Sequence, residues 1–265
     1  MLAIIGGSGL TQLSNLDVSR REVARTPYGE PSGALTFGSL CGHDAIFLAR
    51  HGYGHAIPPH LVNYRANLWA LKEYGAKRIV SVASVGGIRA DLAPGDIVIP
   101  HQILDYTWGR KSTYFDGNGA PVVHVDFTHP YDKELRAKLV RAATAAGIQI
   151  REGGVYAVTQ GPRLETAMEI DRFERDGADV IGMTGMPETV LARELDIPYA
   201  AINLIANHAA GRGESAAGIR FERLEEVLQE AMGRVRAVIE HLVADKEGGE
   251  GIFMAQSGHG VKNET

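Results

Sequence analysis

The residues best suited to chemistry lie in six short segments, and each segment follows an apolar run that is typical of a β-strand. The segments contain Ser8, Arg50-His51, Ser84 with Gly86 and Gly87, Gln160-Gly161-Pro162-Arg163, Met183-Thr184 and Asn207-His208. If the strands are parallel neighbours, these segments converge on one rim of a sheet, where open α/β folds bind ligands. Hydroxyl groups, turn amides and the planar donor fork of an arginine suit a phosphate dianion. The pattern therefore predicts an anion site.

The segment around Thr184 shows the local pattern. Residues 178–181 read as a buried strand, and the glycines that follow place Met183 and Thr184 on a turn. Pro187 and Glu188 then open a helix, whose free N–H groups favour an anion. The same pattern also fits an ordinary strand-to-helix connection that binds nothing.

Apolar runs and their periods predict the elements that would position these segments. Strands are predicted over residues 2–5, 45–49, 78–83, 96–100, 155–159, 178–181 and 199–205, and helices over 63–74, 132–146, 164–176, 187–195 and 221–244. Residues 106–130 form a long irregular loop, and such loops in compact domains are usually functional. The order predicts one α/β domain over residues 1–245 and a flexible tail over residues 246–265.

Length, charge and cysteine content narrow the classes of function. The chain has 265 residues and a net charge of −5, which argues against nucleic-acid or anionic-membrane partners. Its only cysteine is Cys41, so no intramolecular disulfide forms and a cytoplasmic location is expected. Neither a signal-peptide pattern nor an apolar run of about 20 residues is present. The ten histidines show no metal-binding spacing, so no metal or other cofactor is predicted.

Several motifs then resemble one family. They are Gly-Gly-Ser-Gly-Leu, Ala-Arg-His-Gly, Asn-Tyr-Arg-Ala-Asn-Leu-Trp-Ala, Pro-Gly-Asp-Ile-Val-Ile, Gln-Gly-Pro-Arg-Leu-Glu-Thr and Val-Ile-Gly-Met-Thr-Gly-Met-Pro-Glu. Over residues 2–243 they resemble, in order, the trimeric purine nucleoside phosphorylases, above all the methylthioadenosine and methylthioinosine branch. The resemblance implies a three-layer sandwich, in which helices flank a central, twisted, mixed and mostly parallel sheet. It also implies phosphorolysis, in which phosphate attacks the anomeric carbon of a nucleoside and releases the purine.

The resemblance further implies which residues bind phosphate and sugar. The phosphate site would contain Ser8, Arg50, His51, Ser84 and Thr184, while Met183, Leu164 and Gly86 would line the nucleoside pocket. Phosphate is then a co-substrate, and it stabilises the oxocarbenium-like transition state electrostatically.

Two positions distinguish 6-oxopurine from adenine enzymes in this family. In the resemblance, methylthioadenosine phosphorylases have an Asp-x-Asp motif at the strand end where this chain has Asn207. They have a small residue at the position of Glu165. The 6-oxopurine phosphorylases carry Asn and Glu there, as this chain does. A carboxylate accepts from N1–H, and an amide donates to O6 and N7. The resemblance therefore implies that Glu165 and Asn207 select a 6-oxopurine. The alternative is that neither residue binds the base, with Glu165 solvated at a helix N-terminus and Asn207 in a turn.

The 5′ end of the sugar and the oligomeric state depend on weaker matches. Phe221 and Leu224 lie near positions that are apolar in methylthio-nucleoside enzymes, but these residues would also fit the start of a packed C-terminal helix. His124 matches a residue that crosses from a neighbouring subunit, which implies a homotrimer with shared sites.

The leading interpretation is phosphorolysis of a 6-oxopurine nucleoside, with 5′-methylthioinosine preferred. The alternatives are a methylthioadenosine phosphorylase, a general inosine/guanosine phosphorylase, a nucleosidase that uses water, and a non-catalytic purine-binding module. A dinucleotide-dependent dehydrogenase is disfavoured, because the turn at residues 6–9 lacks the rest of the dinucleotide fingerprint.

Overall fold

The computed structural model of the chain describes residues 1–117 and 121–245. Within them, eleven strands form one sheet: β1 (Leu2–Gly6), β2 (Asp17–Glu22), β3 (Leu35–Leu40), β4 (His43–Ala49), β5 (Arg78–Gly87), β6 (Ile97–Ile99), β7 (Gln102–Asp105), β8 (Arg151–Glu152), β9 (Val155–Val158), β10 (Val180–Gly182) and β11 (Tyr199–His208). The helices are α1 (Tyr64–Glu73), α2 (Lys133–Ala145), α3 (Ala167–Arg175), α4 (Gly185–Glu194) and α5 (Phe221–Ala244), with short 3₁₀ helices at Pro59–Leu61 and Gly213–Ser215. The predicted tail, residues 246–265, lies outside the described residues.

The sheet is mixed and mostly parallel, because six of its ten strand pairings are parallel. Alternate residues of β1 point to opposite faces. Leu2 and Ile4 pack in the core under α2 and α5, whereas Ala3 and Ile5 pack in the core under α1 and α4. Helices thus cover both faces of the sheet, and the predicted three-layer α/β fold is confirmed.

The convergence of the six segments is only partly due to the predicted parallel arrangement of the strands. β5 continues to Gly87, so Ser84 and Gly86 lie inside a strand and not on a turn. β10 runs antiparallel to β5 and pairs Val180 with Gly87 and Ile181 with Gly86. Because of this direction, the end of β10 turns back along β5 towards Ser84. The parallel arrangement was therefore wrong for β10, although it is correct for β1, β4 and β11.

Two predicted boundaries at the site also differ from the structure. β11 continues past residue 205 to His208, with a register shift between Ile205 and Asn207, and such bulges re-aim side chains next to active sites. α3 begins at Ala167 after an N-cap at Thr166, so Glu165 lies in the preceding loop and not in the predicted helix. The capping box of Thr166 ends the loop at a defined residue.

Four strands, β2, β3, β7 and β8, had no counterpart in the prediction. β2 is exposed over most of its length, and β8 has two residues, so neither shows an apolar run. In the described part of the chain, residues 106–117 and 121–130 have no regular structure, as predicted. The predicted helix over residues 221–244 is confirmed by α5. No helix among the described residues is long and apolar enough to cross a membrane.

Candidate functional site

A cleft of about 1370 Å³ opens along the ends of β1, β4, β10 and β11 and beside β5. Twelve of the thirteen predicted site residues line it: Ser8, Arg50, His51, Ser84, Gly86, Leu164, Glu165, Met183, Thr184, Asn207, Phe221 and Leu224. The exception is His124, which is exposed and lies away from the cleft of its own chain. The cleft therefore brings together residues that are up to 216 positions apart in sequence, from Ser8 to Leu224.

Arg50 is fully buried at the inner end of the cleft. Its Nε and Nη2 donate to the two carboxylate oxygens of Glu188 at 2.7 and 2.8 Å. Nη2 also donates to Ser81 Oγ at 2.6 Å, and Nη1 donates to the carbonyl of Val82 at 3.0 Å. Burial acts to lower the pKa of Arg50, but the Glu188 carboxylate more than offsets it and the net shift is upward. The donor fork thus faces Glu188, which differs from the predicted use of the fork for phosphate and leaves one Nη1 hydrogen without a bond to these partners.

The glycine-rich turn after β1 lies against this buried arginine. A Cβ atom at Gly7 would be 2.7 Å from the carbonyl oxygen of Val82 and 2.8 Å from Arg50 Nη1, so only glycine allows this close approach. Ser8 follows, and its hydroxyl lies 3.3 Å from His55 Nε2. His55 also lines the cleft, and no local motif in the sequence distinguished it.

His51 is nearly buried and is neutral at physiological pH. Burial, followed by the positive charge of Arg50, lowers the pKa of His51 to about 4. The Nδ1 atom lies 2.8 Å from the carbonyl oxygen of Ile57, so Nδ1 carries the proton and donates it. Nε2 is then an acceptor, which suits the hydroxyl group of hydrogen phosphate.

Thr184 occupies the N-cap position of α4 and is buried. Its N–H donates to Tyr156 Oη at 3.4 Å. Met186 has extended φ and ψ angles of −119° and 137°, so the regular part of α4 begins at Pro187 as predicted. The regular helix therefore begins three residues after Thr184, which itself lines the cleft.

The predicted base-binding residues occupy the next part of the cleft. Thr159 Oγ1 donates to Glu165 Oε1 at 2.6 Å, and this hydrogen bond leaves Oε2 available to another donor. Burial raises the pKa of Glu165, while the bond from Thr159 opposes the shift. Asn207 Nδ2 donates to the carbonyl of His208 at 2.6 Å and keeps one N–H group for a ligand. Thr159 was not predicted, because it has no distinguishing pattern around it.

Three exposed or half-buried apolar side chains line the outer end of the cleft, and Glu225 and Gln229 of α5 line the cleft beside them. Phe221, at the start of α5, is 62% exposed, and Leu164 is 37% exposed. Leu224 is half-buried and packs against the core beneath α5.

The family model of the phosphorylase superfamily matches residues 1–244 of the chain. A probable S-methyl-5′-thioinosine phosphorylase of Pseudomonas syringae pv. tomato is 49% identical over 242 residues, which are 91% of this chain and 98% of that protein. A 6-oxopurine nucleoside phosphorylase of Pyrococcus furiosus is 46% identical over 79% of this chain and 80% of its own length. Among solved structures, a methylthioadenosine phosphorylase of Schistosoma mansoni in complex with adenine has a TM-score of 0.88 and 31% identity, covering 92% of this chain and 90% of the other. The chain belongs to the phosphorylase superfamily.

Proposed function

We propose that the protein is a pentosyltransferase that cleaves 6-oxopurine nucleosides with inorganic phosphate, and that 5′-methylthioinosine is its preferred substrate. The products are hypoxanthine and 5-methylthioribose 1-phosphate. The observation that carries this proposal is the Glu165 carboxylate in the cleft, with Oε1 bonded to Thr159 and Oε2 unoccupied by that bond. Relatives named as S-methyl-5′-thioinosine and 6-oxopurine nucleoside phosphorylases support it.

The proposed reaction needs an anion site and a base site on either side of the anomeric carbon. Phosphate oxygen forms a bond to C1′ as the bond from C1′ to N9 of the purine breaks, and the bonding electrons move to the base. We assign phosphate to Ser8, Arg50, His51, Ser84 and Thr184, with Met183 beneath the ribose. Because negative charge builds on the purine, the remaining N–H of Asn207 strengthens its bond to N7 or O6 in the transition state. The chemistry involves no metal ion or other cofactor.

Glu165 is the residue that discriminates between the two classes of purine. An ionised carboxylate can only accept, and hypoxanthine offers it an N1–H. Adenine has a bare N1, so the same carboxylate would face a lone pair. Asn207 alone discriminates less, because an amide can also pair with N6–H and N7 of adenine.

The apolar outer end supports a methylthio substituent at the 5′ position. Phe221, Leu224 and Leu164 offer no group that would bond a 5′-hydroxyl, and burying an unbonded hydroxyl is unfavourable. The exposure of Phe221 and Leu164 also supports a homotrimer in which His124 of a neighbouring subunit closes this end. A cytoplasmic location is part of the same proposal.

A substrate panel with and without phosphate tests the function. Methylthioinosine, methylthioadenosine, inosine, guanosine and adenosine are assayed for release of the base, and the sugar product is identified by mass. The expected result is phosphate-dependent cleavage, with the highest kcat/KM for methylthioinosine. Equal rates without phosphate would identify a nucleosidase, and preference for methylthioadenosine or inosine would identify one of the other phosphorylase classes.

A further inference from the structure

Arg110 lies in the long loop after β7, and its guanidinium binds backbone oxygens beneath the cleft. Nη2 donates to the carbonyls of Thr159 and Gln160 at 3.1 and 2.9 Å, and Nη1 donates to that of Met183 at 2.8 Å. Nη1 also donates to the carbonyl of Met186 at 2.5 Å, and Nε donates to the Gln160 side-chain oxygen at 3.1 Å. One side chain thus joins two separate segments of the chain.

These segments follow β9 and β10, two parallel neighbours whose last paired residues are Val158 and Gly182. Beyond that pair the sheet no longer supplies partners to carbonyl groups, and such groups need other donors. Arg110 supplies them from a rigid planar fork, which fixes the distance between the segments as well as their direction. Lysine cannot do this, because its single ammonium has no fixed geometry.

Both segments carry groups that the proposed function places against the nucleoside. Thr159 bonds the Glu165 carboxylate, and Met183 lines the cleft below the ribose position. A side chain at Gly161 would bring its Cβ to 2.4 Å from the Met183 sulfur, so the two segments are also in tight contact with each other. A shift of one segment would therefore change the position of the base acceptor relative to the sugar.

Resting on the function proposed above, we propose that Arg110 is a positioning residue for base selection. It fixes the position of the Thr159 hydroxyl relative to the Met183 backbone. It thereby sets the orientation of the Glu165 carboxylate towards N1 of the purine. Arg110 is not among the residues that line the cleft, so it acts through these neighbours and does not contact the substrate.

Residues other than Arg110 anchor the long loop after β7 to the rest of the protein. Glu194 accepts from Thr113 Oγ1 and from the N–H of Tyr114, both at 2.7 Å. Arg65 donates to the carbonyl of Thr113 at 3.2 Å and to the Asp116 carboxylate at 2.7 Å. Arg65 lies in α1, contacts the same loop as Arg110 and does not line the cleft, which makes it a matched control for Arg110.

The test compares Arg110→Lys with Arg65→Lys and measures the ratio of kcat/KM for methylthioinosine to that for methylthioadenosine. A displacement of about 1 Å can cost up to about 100-fold, so we expect Arg110→Lys to lower the ratio by about tenfold or more. Arg65→Lys should keep the wild-type ratio, and the KM for phosphate should change by less than about twofold in both variants. Thermal unfolding of each variant separates loss of selectivity from loss of folded protein.

Thr159→Val provides an independent variant that leaves Arg110 intact. It should lower the ratio as Arg110→Lys does, and the double variant should show little further loss, because both act on the Glu165 carboxylate. An unchanged ratio in Arg110→Lys, or full additivity in the double variant, would overturn the positioning role. If wild type cleaves no nucleoside with phosphate, the proposed function fails instead. The positioning role is then decided by calorimetric binding of hypoxanthine and adenine to the same variants.

Discussion

The inner and outer ends of the cleft are built in opposite ways. At the inner end Arg50 is fully buried, bonded to Glu188, and fixed by partners within one chain. At the outer end Phe221 and Leu164 are exposed. Phosphate is the same in every reaction of this kind, whereas the 5′ substituent varies between substrates. In the proposed reaction, the constant reactant would be bound by the rigid inner end, while the variable part of the substrate would meet the exposed outer end.

At the proposed phosphate site, the inner end carries little excess positive charge. The charge of Arg50 is balanced by Glu188, and His51 is neutral because its pKa is lowered to about 4. In the proposed reaction, phosphate would be bound by hydroxyls, turn amides and one arginine N–H. Such donors are fixed before the reaction starts, so little reorganisation is needed as charge moves.

The largest expected effect is the loss of stability when Arg50 loses its counter-ion, Glu188. Glu188→Gln would leave the buried Arg50 charge without its counter-ion, and breaking a buried pair costs about 3–5 kcal/mol. Chemical denaturation should therefore show a fall of that size in the free energy of unfolding. Added phosphate should stabilise the variant more than wild type, because the dianion can replace the lost charge.

The exposed pair of Arg163 and Glu169 is the control for this comparison. Glu169→Gln keeps the capping-box geometry of α3 and should cost at most about 1 kcal/mol. Equal destabilisation by the two substitutions would contradict the view that the inner end depends on its buried charge pair.

The next effect concerns base selection at the middle of the cleft. Glu165→Gln gives an amide that can either accept from N1–H or donate to N1, so the reason to reject adenine disappears. An unsatisfied buried group costs about 1–3 kcal/mol, and the ratio of kcat/KM for methylthioinosine to methylthioadenosine should fall about 5- to 150-fold. Glu169→Gln, which changes a neighbouring carboxylate, should keep the ratio. A wild-type ratio in Glu165→Gln would remove Glu165 from the base site.

A smaller effect is expected at the outer end, where closure by a second subunit is proposed. Light scattering should give roughly three times the 28.5 kDa chain mass. His124→Ala should raise the KM for methylthioinosine about fivefold, as for one hydrogen bond of about 1 kcal/mol, and leave the KM for phosphate unchanged. His129→Ala is the matched control in the same loop. A fully active monomer would contradict the shared site.

The local patterns identified the residues of the cleft better than they identified its geometry. Strand ends with glycine and polar residues indicated Ser8, Arg50 and Thr184, and all three line the cleft. The direction of β10 was wrong, because strand pairing depends on contacts far apart in sequence and not on local period. The partner of Arg50 was missed for the same reason, since Glu188 is 138 positions away.

Residues that support the site from outside it were the least predictable. Arg110 lies in a segment without regular structure, and an arginine in such a loop usually points to solvent. Its role depends on carbonyl groups of Thr159 and Met183 that become neighbours only when β9 and β10 pair. The length of the loop was the only signal, and it indicated function without indicating which residue carries it.

The smallest expected effect is a pH dependence of base selection. The groups that face Glu165 are the Thr159 hydroxyl, the more distant Glu169 carboxylate and the Arg163 guanidinium, and burial is the dominant influence that raises the pKa of Glu165. For an acid, a raised pKa means that protonation begins at a higher pH than for an exposed glutamate. As pH falls towards that pKa, a growing fraction of Glu165 carries a proton, which Oε2 can donate to N1 of adenine. The carboxylate needed by hypoxanthine is lost in the same step.

The ratio of kcat/KM for methylthioinosine to methylthioadenosine should therefore fall as the pH is lowered from neutral, and the fall should begin at a higher pH than the titration of an exposed glutamate would give. Titration of phosphate cancels from the ratio, because both substrates react with the same phosphate. Glu165→Gln is the control for titration of the purines themselves, because glutamine carries no titratable group. The ratio of kcat/KM for the two substrates should not change with pH in this variant. Thr159→Val sharpens the measurement, since the bond from Thr159 opposes the upward shift of the Glu165 pKa and its removal should move the fall to higher pH. A flat wild-type ratio, or a fall that persists in Glu165→Gln, would show that the carboxylate of Glu165 is not the group that reads N1.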